Sequence, residues 1–336
     1  MTAKPRILVL GTGGTIAGAA ESSTSAVYAA GKIDAARLVA GVPGLDELAE
    51  LRAETLYSVP SGDLGPSEWR AVGRRIRDAL ETGEADGIVV THGTDTLEEA
   101  AFFLDLTCQA DKPVVLVGAM RPATALGADG PANLYQAVRV AASEEAAGRG
   151  VLVVMNDVVL PGRLAVKTGS LPVQAFRAFP GGPVGRVTGE RLTFLETVRR
   201  PALAGRFRDA LDMSGALPAV GIAYVFGGCG DTPLRACRDA GMRGVVIAGL
   251  GAGHMPEPMI DLAREMIEAG TPVVISSRVA EVTVFPEIMD RRGGGHAPIA
   301  SGFLNPQKAA LLLSLALAEG CGAEETAALF ALFPAA

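Results

Sequence analysis

The chain has 336 residues, and because a domain usually holds about 100 to 200 residues, this length favours two domains over one. Apolar residues make up 49% of the chain and charged residues 20%, a composition that can fill a core and excludes general disorder. The formal net charge is −7 without a run of five like charges, which disfavours nucleic acid and anionic membranes as partners.

In the first half of the chain, short apolar runs alternate with helical patterns. Buried strands are predicted at residues 6–10, 87–91, 113–118 and 151–154. Helical length and apolar spacing predict helices at residues 66–81, 96–107 and 130–148. Because strand and helix alternate, we expect a parallel sheet that is covered by helices on both faces.

The alternation stops at an Arg-rich and Pro-containing segment, residues 194–218, which we interpret as a linker. It resumes with elements predicted at residues 219–226, 231–240, 244–248, 259–269 and 272–276, and a last helix begins at Asn305-Pro306. The sequence therefore predicts an α/β fold. A larger N-terminal domain, residues 1–193, holds a doubly wound and mostly parallel sheet, and a smaller C-terminal α/β domain covers residues 219–336.

Apolar runs and cysteines give an expectation for the compartment. The longest apolar stretch, residues 309–318, is shorter than the roughly 18 residues of a membrane-spanning helix. The apolar run that follows Arg6 covers only residues 7–10, which is too short for a secretory signal. We therefore expect a cytoplasmic protein without membrane contact. Its four cysteines form no CxxC pair, so reduced structural thiols are expected.

Several kinds of catalytic site lack their sequence motif. The histidines, at positions 92, 254 and 296, do not have the spacing of a zinc site, so no metal is expected. Neither a GxSxG nucleophile elbow nor a GxxxxGK[ST] phosphate loop occurs. In GTGGTIAG, residues 11–18, Ile16 stands where a dinucleotide-binding GxGxxG needs its last glycine. A nucleotide-dependent oxidoreductase is therefore disfavoured.

Two loops at the ends of predicted strands carry threonine hydroxyls, residues 11–18 and residues 91–96 (THGTDT). Open α/β sheets bind ligands at the carboxyl ends of their strands. Each loop also has a purely structural interpretation: the glycines permit a tight turn, and Asp95 or Thr96 fits a helix N-cap with a glutamate three residues on. Taken together, the loops favour a hydroxyl nucleophile beside a helix N-terminus that stabilises developing negative charge.

A threonine hydroxyl needs a basic partner, because it is inert at its free pKa. Lys167 follows the strand predicted at residues 151–154, and we expect it at the same sheet edge as the two loops. Beside Asp95 the lysine would keep its charge, whereas a desolvated lysine beside a threonine could be neutral and accept the hydroxyl proton. The alternative is an ordinary surface lysine in a loop.

Six segments of the sequence carry a resemblance to one family. They read GTGGTIAG at 11–18, THGTDTLEEAAFFLDL at 91–106, DKPVVLVGAMRP at 111–122, ADGPANLYQAV at 128–138, RGVLVVMND at 149–157 and SGFLNPQKA at 301–309. In these segments and their order the chain resembles the bacterial-type L-asparaginases, the asparaginase/glutaminase family of amidohydrolases. The resemblance implies hydrolysis of the side-chain amide of L-asparagine to L-aspartate and ammonia, without a cofactor.

The resemblance also implies which residues are catalytic. Thr15 resembles the primary nucleophile, and Tyr28 resembles its hydroxyl partner on a flexible lid. Thr94, Asp95 and Lys167 resemble a second catalytic group, in which the lysine and the aspartate tune the threonine. In the implied reaction Thr15 attacks the carboxamide carbon, ammonia leaves, and water cleaves the acyl-threonine ester. Direct displacement by a water that Thr94 activates stays open as an alternative.

Substrate-binding residues follow from the same resemblance. Ser61 matches a residue that binds the substrate's α-carboxylate, Asp95 matches one that holds its α-ammonium, and Thr94 adjoins them in the second loop. The main chain near Ala119 adjoins the side-chain amide in relatives. Gly62 stands where many relatives have glutamine, so one side-chain contact to the substrate is missing.

Relatives place this site at a subunit interface, which implies a homodimer or a homotetramer. Glu287 and Asp290 are candidates for an acidic residue that reaches the neighbouring subunit's site. Glutamine as an equal or better substrate stays open, because one methylene is worth only about 1 to 3 kcal/mol of discrimination. An amidotransferase subunit is disfavoured, since only ten residues precede Gly11. A non-catalytic amino-acid binder is disfavoured by the two threonines together with Lys167.

Overall fold

The structure, a computed structural model, describes residues 3–25, 27–108, 111–197, 201–285 and 297–334. Glu287 and Asp290 lie outside the described residues. The chain divides into two compact units, Met1–Met213 and Ser214–Ala336. Residues 201–213 belong to the first unit, where Phe207 is fully buried and Asp212 forms an ion pair with Arg77. The division into domains at residues 193 and 219 stays a prediction.

The first unit is built from strands and helices that alternate along the chain. Its strands are β1 (Arg6–Gly13), β2 (Glu50–Val59), β3 (Gly87–Thr91), β4 (Val114–Val117), β5 (Val151–Met155), β6 (Val158–Pro161), β7 (Ala165–Lys167), β8 (Phe176–Ala178), β9 (Gly185–Thr188) and β10 (Arg191–Phe194). Its helices are α1 (Ala35–Ala40), α2 (Leu45–Leu48), α3 (Pro66–Glu81), α4 (Leu97–Thr107) and α5 (Gly130–Ala141). Every strand and helix predicted in this half is present; α3 and β3 have the predicted ends, and the others differ at one or both ends.

Eight of these strands form one sheet in the order β10-β9-β6-β5-β4-β3-β1-β2. Neighbouring strands are parallel from β5 to β2 and antiparallel from β5 to β10. Strands β7 and β8 pair separately in an antiparallel ladder. The predicted α/β class with a mostly parallel sheet around β1 and β3 is therefore confirmed.

The central strands are buried on both faces because their runs are continuously apolar. On one face, alternate residues such as Val9 and Val89 pack with Leu134 and Val138 of α5. The residues between them, Leu8 among them, are equally buried. A buried sheet of this kind holds the loops at its carboxyl edge on a rigid frame.

The helix predicted at residues 130–148 is too long. Helix α5 ends at Ala141, and a separate 3-10 turn covers Glu144–Ala146. Between them the Ser143 hydroxyl accepts a hydrogen bond from the backbone N–H of Glu145 at 3.3 Å. A serine side chain that bonds nearby main chain competes with helix continuation, which explains the break.

The second unit is a smaller α/β structure. Parallel strands β11 (Val220–Tyr224), β12 (Gly244–Gly249), β13 (Val273–Ser277) and β14 (Ile299–Ala300) lie in that order. Its helices are α6 (Thr232–Asp239), α7 (Glu257–Glu268), α8 (Pro306–Ala318) and α9 (Ala323–Phe330). Asn305 caps α8 as predicted, since its side chain accepts the Lys308 N–H at 3.2 Å. This confirms the predicted smaller C-terminal α/β unit.

Two further features concern the whole chain. None of the four cysteines, all of which the structure describes, forms a disulfide; Cys108 and Cys229 are buried, and Cys237 and Cys321 are partly buried. Burial raises the pKa of the Cys108 thiol to about 12 and also raises that of Cys237. Among the helices that the structure describes, none is long and apolar enough to cross a membrane.

Candidate active site

The two threonine loops meet at the carboxyl edge of the sheet. Strands β1 and β3 are parallel neighbours, with Gly11 opposite Thr91, so the loops that follow them leave the sheet side by side. A Cβ added to Gly14 would lie 2.2 Å from the Cα of Gly93. The backbones of the two loops are therefore in direct contact, and glycine at position 14, with φ of 77°, is required for this approach.

Thr15 begins a 3-10 turn, Thr15–Ala17, directly after β1. Its hydroxyl lies 2.6 Å from the Tyr28 hydroxyl, and either group can donate the hydrogen bond. The segment that carries Tyr28 is closed by a pair of 3.0 Å backbone hydrogen bonds between Ala19 and Ala29. Gly18 leaves room for the tyrosine ring, because a Cβ there would lie 2.8 Å from it. Thr15 is buried, whereas the tyrosine is exposed.

Thr94, Asp95 and Lys167 form a second cluster. The ammonium of Lys167 donates to Thr94 Oγ1 at 3.0 Å and to Asp95 Oδ1 at 2.6 Å. The lysine side chain is 17% exposed, while that of Asp95 is 79% exposed. Lys167 thus holds the inner hydroxyl and the outer carboxylate together. Lys167 is the last residue of strand β7. It is therefore not the ordinary surface lysine in a loop that was the alternative prediction.

Ser61 lies against the second loop. It begins a 3-10 turn, Ser61–Asp63, at the end of β2, and its side chain would lie 2.7 Å from a Cβ at Gly93. The Thr96 hydroxyl donates to the Ser61 carbonyl at 2.8 Å. Thr96 is the N-cap residue of α4, but its side chain makes no capping hydrogen bond. The capping box predicted for it is therefore wrong, because this hydroxyl joins the second loop to the turn at Ser61 instead.

The chain near Ala119 completes the arrangement. Ala119 is fully buried after β4, and a Cβ at the preceding Gly118 would lie 2.9 Å from Thr94 Cγ2. Asp129 accepts the N–H groups of Met120 and Arg121, both at 2.9 Å. Among the described residues, Thr15, Ser61, Thr94, Asp95 and Ala119 thus follow strands of the large sheet, whereas Lys167 comes from the separate β7–β8 ladder.

Two buried groups near this edge are missing from the sequence prediction. His92 is fully buried, and burial lowers its pKa to about 4, so the ring is neutral. Its Nδ1 lies 2.8 Å from the Gly93 carbonyl. Glu98, 3% exposed, accepts the backbone N–H of Lys167 at 2.5 Å. The spacing Asp95-x-x-Glu98 is the only sequence signal for this glutamate, and it suggests a capping box rather than a contact with Lys167.

Two hydroxyls with a lysine and a carboxylate in hydrogen-bond contact form an arrangement that can activate a nucleophile, as an enzyme that transfers acyl groups requires. Among the described residues, no group of three histidine, cysteine or acidic side chains is placed to hold a metal ion. The asparaginase N-terminal domain matches residues 6–200, and the glutaminase/asparaginase C-terminal domain matches residues 219–330.

Individual relatives match almost the whole chain. It is 43% identical to L-asparaginase 2 of Escherichia coli (strain K12) over 94% of this chain and 90% of that protein. It is 40% identical to a probable periplasmic L-asparaginase of Haemophilus influenzae, over 94% of this chain and 89% of that protein. The crystal structure of a probable cytoplasmic L-asparaginase from Campylobacter jejuni superposes with a TM-score of 0.88 at 38% identity, covering 98% and 99% of the two chains. The chain belongs to the asparaginase family of amidohydrolases, as its sequence motifs indicate.

Proposed function

We propose that the chain is an L-asparaginase that hydrolyses the side-chain amide of L-asparagine to L-aspartate and ammonia, with Thr15 as its nucleophile. The observation that supports this proposal is the contact of the two loops at Gly14 and Gly93, since Thr15 follows the first glycine and Thr94 follows the second. Thr15 is hydrogen-bonded to Tyr28, and Lys167 is hydrogen-bonded to Thr94 and Asp95. Each threonine has its own hydrogen-bond partner, which suits proton transfer better than binding alone.

The proposed reaction has two stages. Thr15 Oγ1 attacks the carboxamide carbon, and its proton passes to the Tyr28 oxygen while the phenol gives its own proton to the leaving nitrogen. The C–N bond breaks, and the nitrogen departs as ammonia. Water then adds to the acyl-threonine ester, the C–O bond to Thr15 breaks, and aspartate leaves. Thr94, beside the Lys167 ammonium, is the group placed to orient that water. Direct displacement by a water that Thr94 activates is the alternative order of events.

The substrate's charged groups have partners in the same loops. We propose that Ser61 binds the α-carboxylate and that Asp95, whose carboxylate is largely exposed, binds the α-ammonium. Thr94 and the main chain at Ala119 would then adjoin the side-chain amide. This arrangement supports an α-amino acid with a terminal carboxamide as the substrate class.

The test is ammonia release from asparagine and glutamine, measured side by side over a range of concentrations. We expect Thr15→Ala to keep the circular dichroism spectrum of the wild type while turnover drops by several orders of magnitude. Near-normal ammonia release from this variant would refute Thr15 as the nucleophile. Tight binding of asparagine by the wild type without any ammonia release would instead indicate a binding protein.

Glutamine is the second candidate substrate. The matching C-terminal domain is described for glutaminases as well as asparaginases. At Gly62, where many relatives have glutamine, a Cβ would find no atom within 4 Å, so the structure leaves open space at this position. Since one methylene changes discrimination by only about 1 to 3 kcal/mol, the ratio of kcat/KM for the two amides is the measurement that decides.

We further propose a homodimer or homotetramer with its sites at a subunit interface, located in the cytoplasm. The assembly follows from the resemblance to the family. The location agrees with the name of the Campylobacter jejuni enzyme, whereas that of the Haemophilus influenzae relative points to the periplasm. Fractionation of the native cell, with ammonia release as the assay, distinguishes the two compartments.

A further inference from the structure

Glu98 is a buried carboxylate that the proposed reaction does not use. It lies in the first turn of α4, three residues after Asp95, and only 3% of its surface is exposed. A negative charge at a helix N-terminus is favoured by the helix dipole, which offsets part of the cost of burying it. Its position raises the question of what this charge does beside the site.

Glu98 Oε2 accepts a hydrogen bond from the backbone N–H of Lys167 at 2.5 Å. Strand β7 has three residues and pairs with β8, where Lys167 lies opposite Phe176. The Glu98 carboxylate therefore takes the place that a further strand would occupy beside Lys167. Hydrogen bonds to a charged acceptor are stronger than neutral ones, so this contact fixes the main chain at residue 167.

Fixing the main chain of Lys167 matters because its side chain is long and flexible. Ordering a lysine side chain costs about 1.5 to 2 kcal/mol of rotamer entropy. Its ammonium contacts Thr94 and Asp95, which precede α4 in the same loop. Glu98 lies only four residues after Thr94, so the start of α4 is tied both to the backbone of Lys167, through Glu98, and to its ammonium, through Thr94 and Asp95.

We propose that Glu98 is a positioning residue, which sets the distance between the Lys167 ammonium and the Thr94 hydroxyl by holding the backbone of residue 167. The inference rests on the proposed function, since it assigns Glu98 a role through Lys167. Glu98 itself does not touch the substrate. Toward the Lys167 N–H its carboxylate is a hydrogen-bond acceptor, so a neutral acceptor of the same shape keeps this bond, although in a weaker form.

Two substitutions of Glu98 distinguish the effect of its hydrogen-bond acceptor from the effect of its side-chain shape. Glu98→Gln keeps a carbonyl oxygen for the Lys167 N–H, and we expect kcat for asparagine to stay within several-fold of the wild type. Glu98→Leu removes the acceptor, and we expect kcat to fall by about 100-fold, the size of loss that a misplaced catalytic group causes, with KM within a few-fold. A Gln variant as inactive as the Leu variant, or an active Leu variant, would overturn the proposal.

Asp105→Leu is the matched control. Asp105 lies near the other end of α4, is buried like Glu98, and accepts the N–H of Val151 at 2.7 Å. Removing it takes away a comparable hydrogen bond at the far end of the helix. We expect lower thermal stability with kcat of the folded enzyme unchanged. Losses of kcat that are equal for the Asp105 and Glu98 variants would mean that Glu98 acts only through stability.

The role through Lys167 is tested by a double-mutant cycle. If Glu98 acts only by placing Lys167, then Glu98→Leu adds less than a further threefold loss of kcat in a Lys167→Met background. Losses that multiply in full would contradict the proposal. A crystal structure of Glu98→Leu gives a readout that does not depend on activity. The ammonium of Lys167 should have left Thr94 Oγ1, and an unchanged 3.0 Å contact would overturn the proposal even if the enzyme proved not to be an asparaginase.

Discussion

The hydroxyl groups of Thr15 and Tyr28 are 2.6 Å apart, although the residues are 13 positions apart in the chain. A phenol in this position can accept the threonine proton during attack while it donates its own proton to the leaving nitrogen. Positioned proton-transfer groups contribute about 10² to 10⁴ in rate. The contribution of this contact to kcat can therefore be measured by removing the hydroxyl oxygen of Tyr28.

For Tyr28→Phe we expect kcat for asparagine to fall by about 100-fold or more, because a positioned proton-transfer group is lost while the ring stays. KM should change much less, since the ring still packs on Gly18. Steady-state ammonia release measures both constants. Tyr224→Phe, at an exposed tyrosine of the second unit, is the control. Wild-type kcat in the Tyr28 variant would contradict the assigned role.

His92 makes stability depend on pH. Its pKa is about 4 in the folded protein, because burial disfavours the charged ring, against 6.5 for a free histidine. The unfolded chain thus binds a proton more readily than the folded one between these values. Stability is full above pH 6.5 and falls as pH drops toward 4, by up to about 3 kcal/mol from this residue.

The prediction is tested with His92→Asn, which cannot titrate in this range. Urea unfolding at pH 7 and at pH 4.5 can be followed by the fluorescence of Trp69, the single tryptophan, which is buried in the first unit. We expect the variant to lose about 2 kcal/mol less than the wild type over this interval, within the limit set by the pKa difference. Equal losses would show that His92 is not the titrating group.

At the scale of elements, the contact between the loops after β1 and β3 depends on the absence of side chains. Gly14→Ala would place a methyl group 2.2 Å from the Cα of Gly93. One loop must shift, and since a misplacement of about 1 Å can cost 100-fold in rate, we expect a loss of that size in kcat/KM.

Gly83→Ala separates this effect from backbone strain. Gly83 also has a positive φ, of 70°, but a Cβ there meets no atom within 4 Å. Its substitution costs only the strain of the left-handed conformation, about 1 to 2 kcal/mol. Thermal melting and ammonia release should show both variants destabilised but only the Gly14 variant inactive. Full activity of Gly14→Ala would contradict the close approach.

The elements also show how far sequence analysis reaches. Continuous apolar runs predict β1, β3, β4 and β5 because these strands are buried on both faces. Strand β2 is not predicted, since its residues are only partly buried and lack a continuous apolar run. Short antiparallel strands such as β7 and β8 depend on tertiary pairing and leave no periodic pattern.

The same limit applies to the candidate site. Parallel strands have their carboxyl ends at one edge, so the meeting of the loops that carry Thr15 and Thr94 is predictable from strand order. The contact of Glu98 with the backbone of Lys167 is not, because a glutamate in a first helical turn has the same spacing whether it caps the helix or reaches another strand. Tertiary contacts decide between these uses.

At the scale of the whole molecule, the proposed assembly predicts that activity depends on protein concentration. If a neighbouring subunit completes each site, dilution below the dissociation constant of the dimer lowers specific activity and mass together. Light scattering and ammonia release over the same dilution series measure both. Specific activity that stays constant while the protein becomes monomeric would contradict an interface site.

Substitution of the acidic candidates extends this test. Glu287→Gln and Asp290→Asn remove one charge each, and if one of them reaches the neighbouring site, that variant alone should lose kcat while its mass stays that of the assembly. Equal activity of both variants and the wild type would exclude these two residues. The mass of each variant reports its assembly, and its kcat reports catalysis, so the two effects are distinguished.

The buried thiols provide internal reporters, one in each unit: Cys108 in the first and Cys229 in the second. An alkylating reagent attacks only the thiolate, and with a pKa of about 12 the Cys108 sulfur is almost entirely protonated at pH 8 in the folded protein. Labelling at Cys108 therefore requires opening of the first unit. Peptide mapping of labelled Cys108 and Cys229 over time would give the opening rates of the two units separately, in the unmodified sequence and without an added probe.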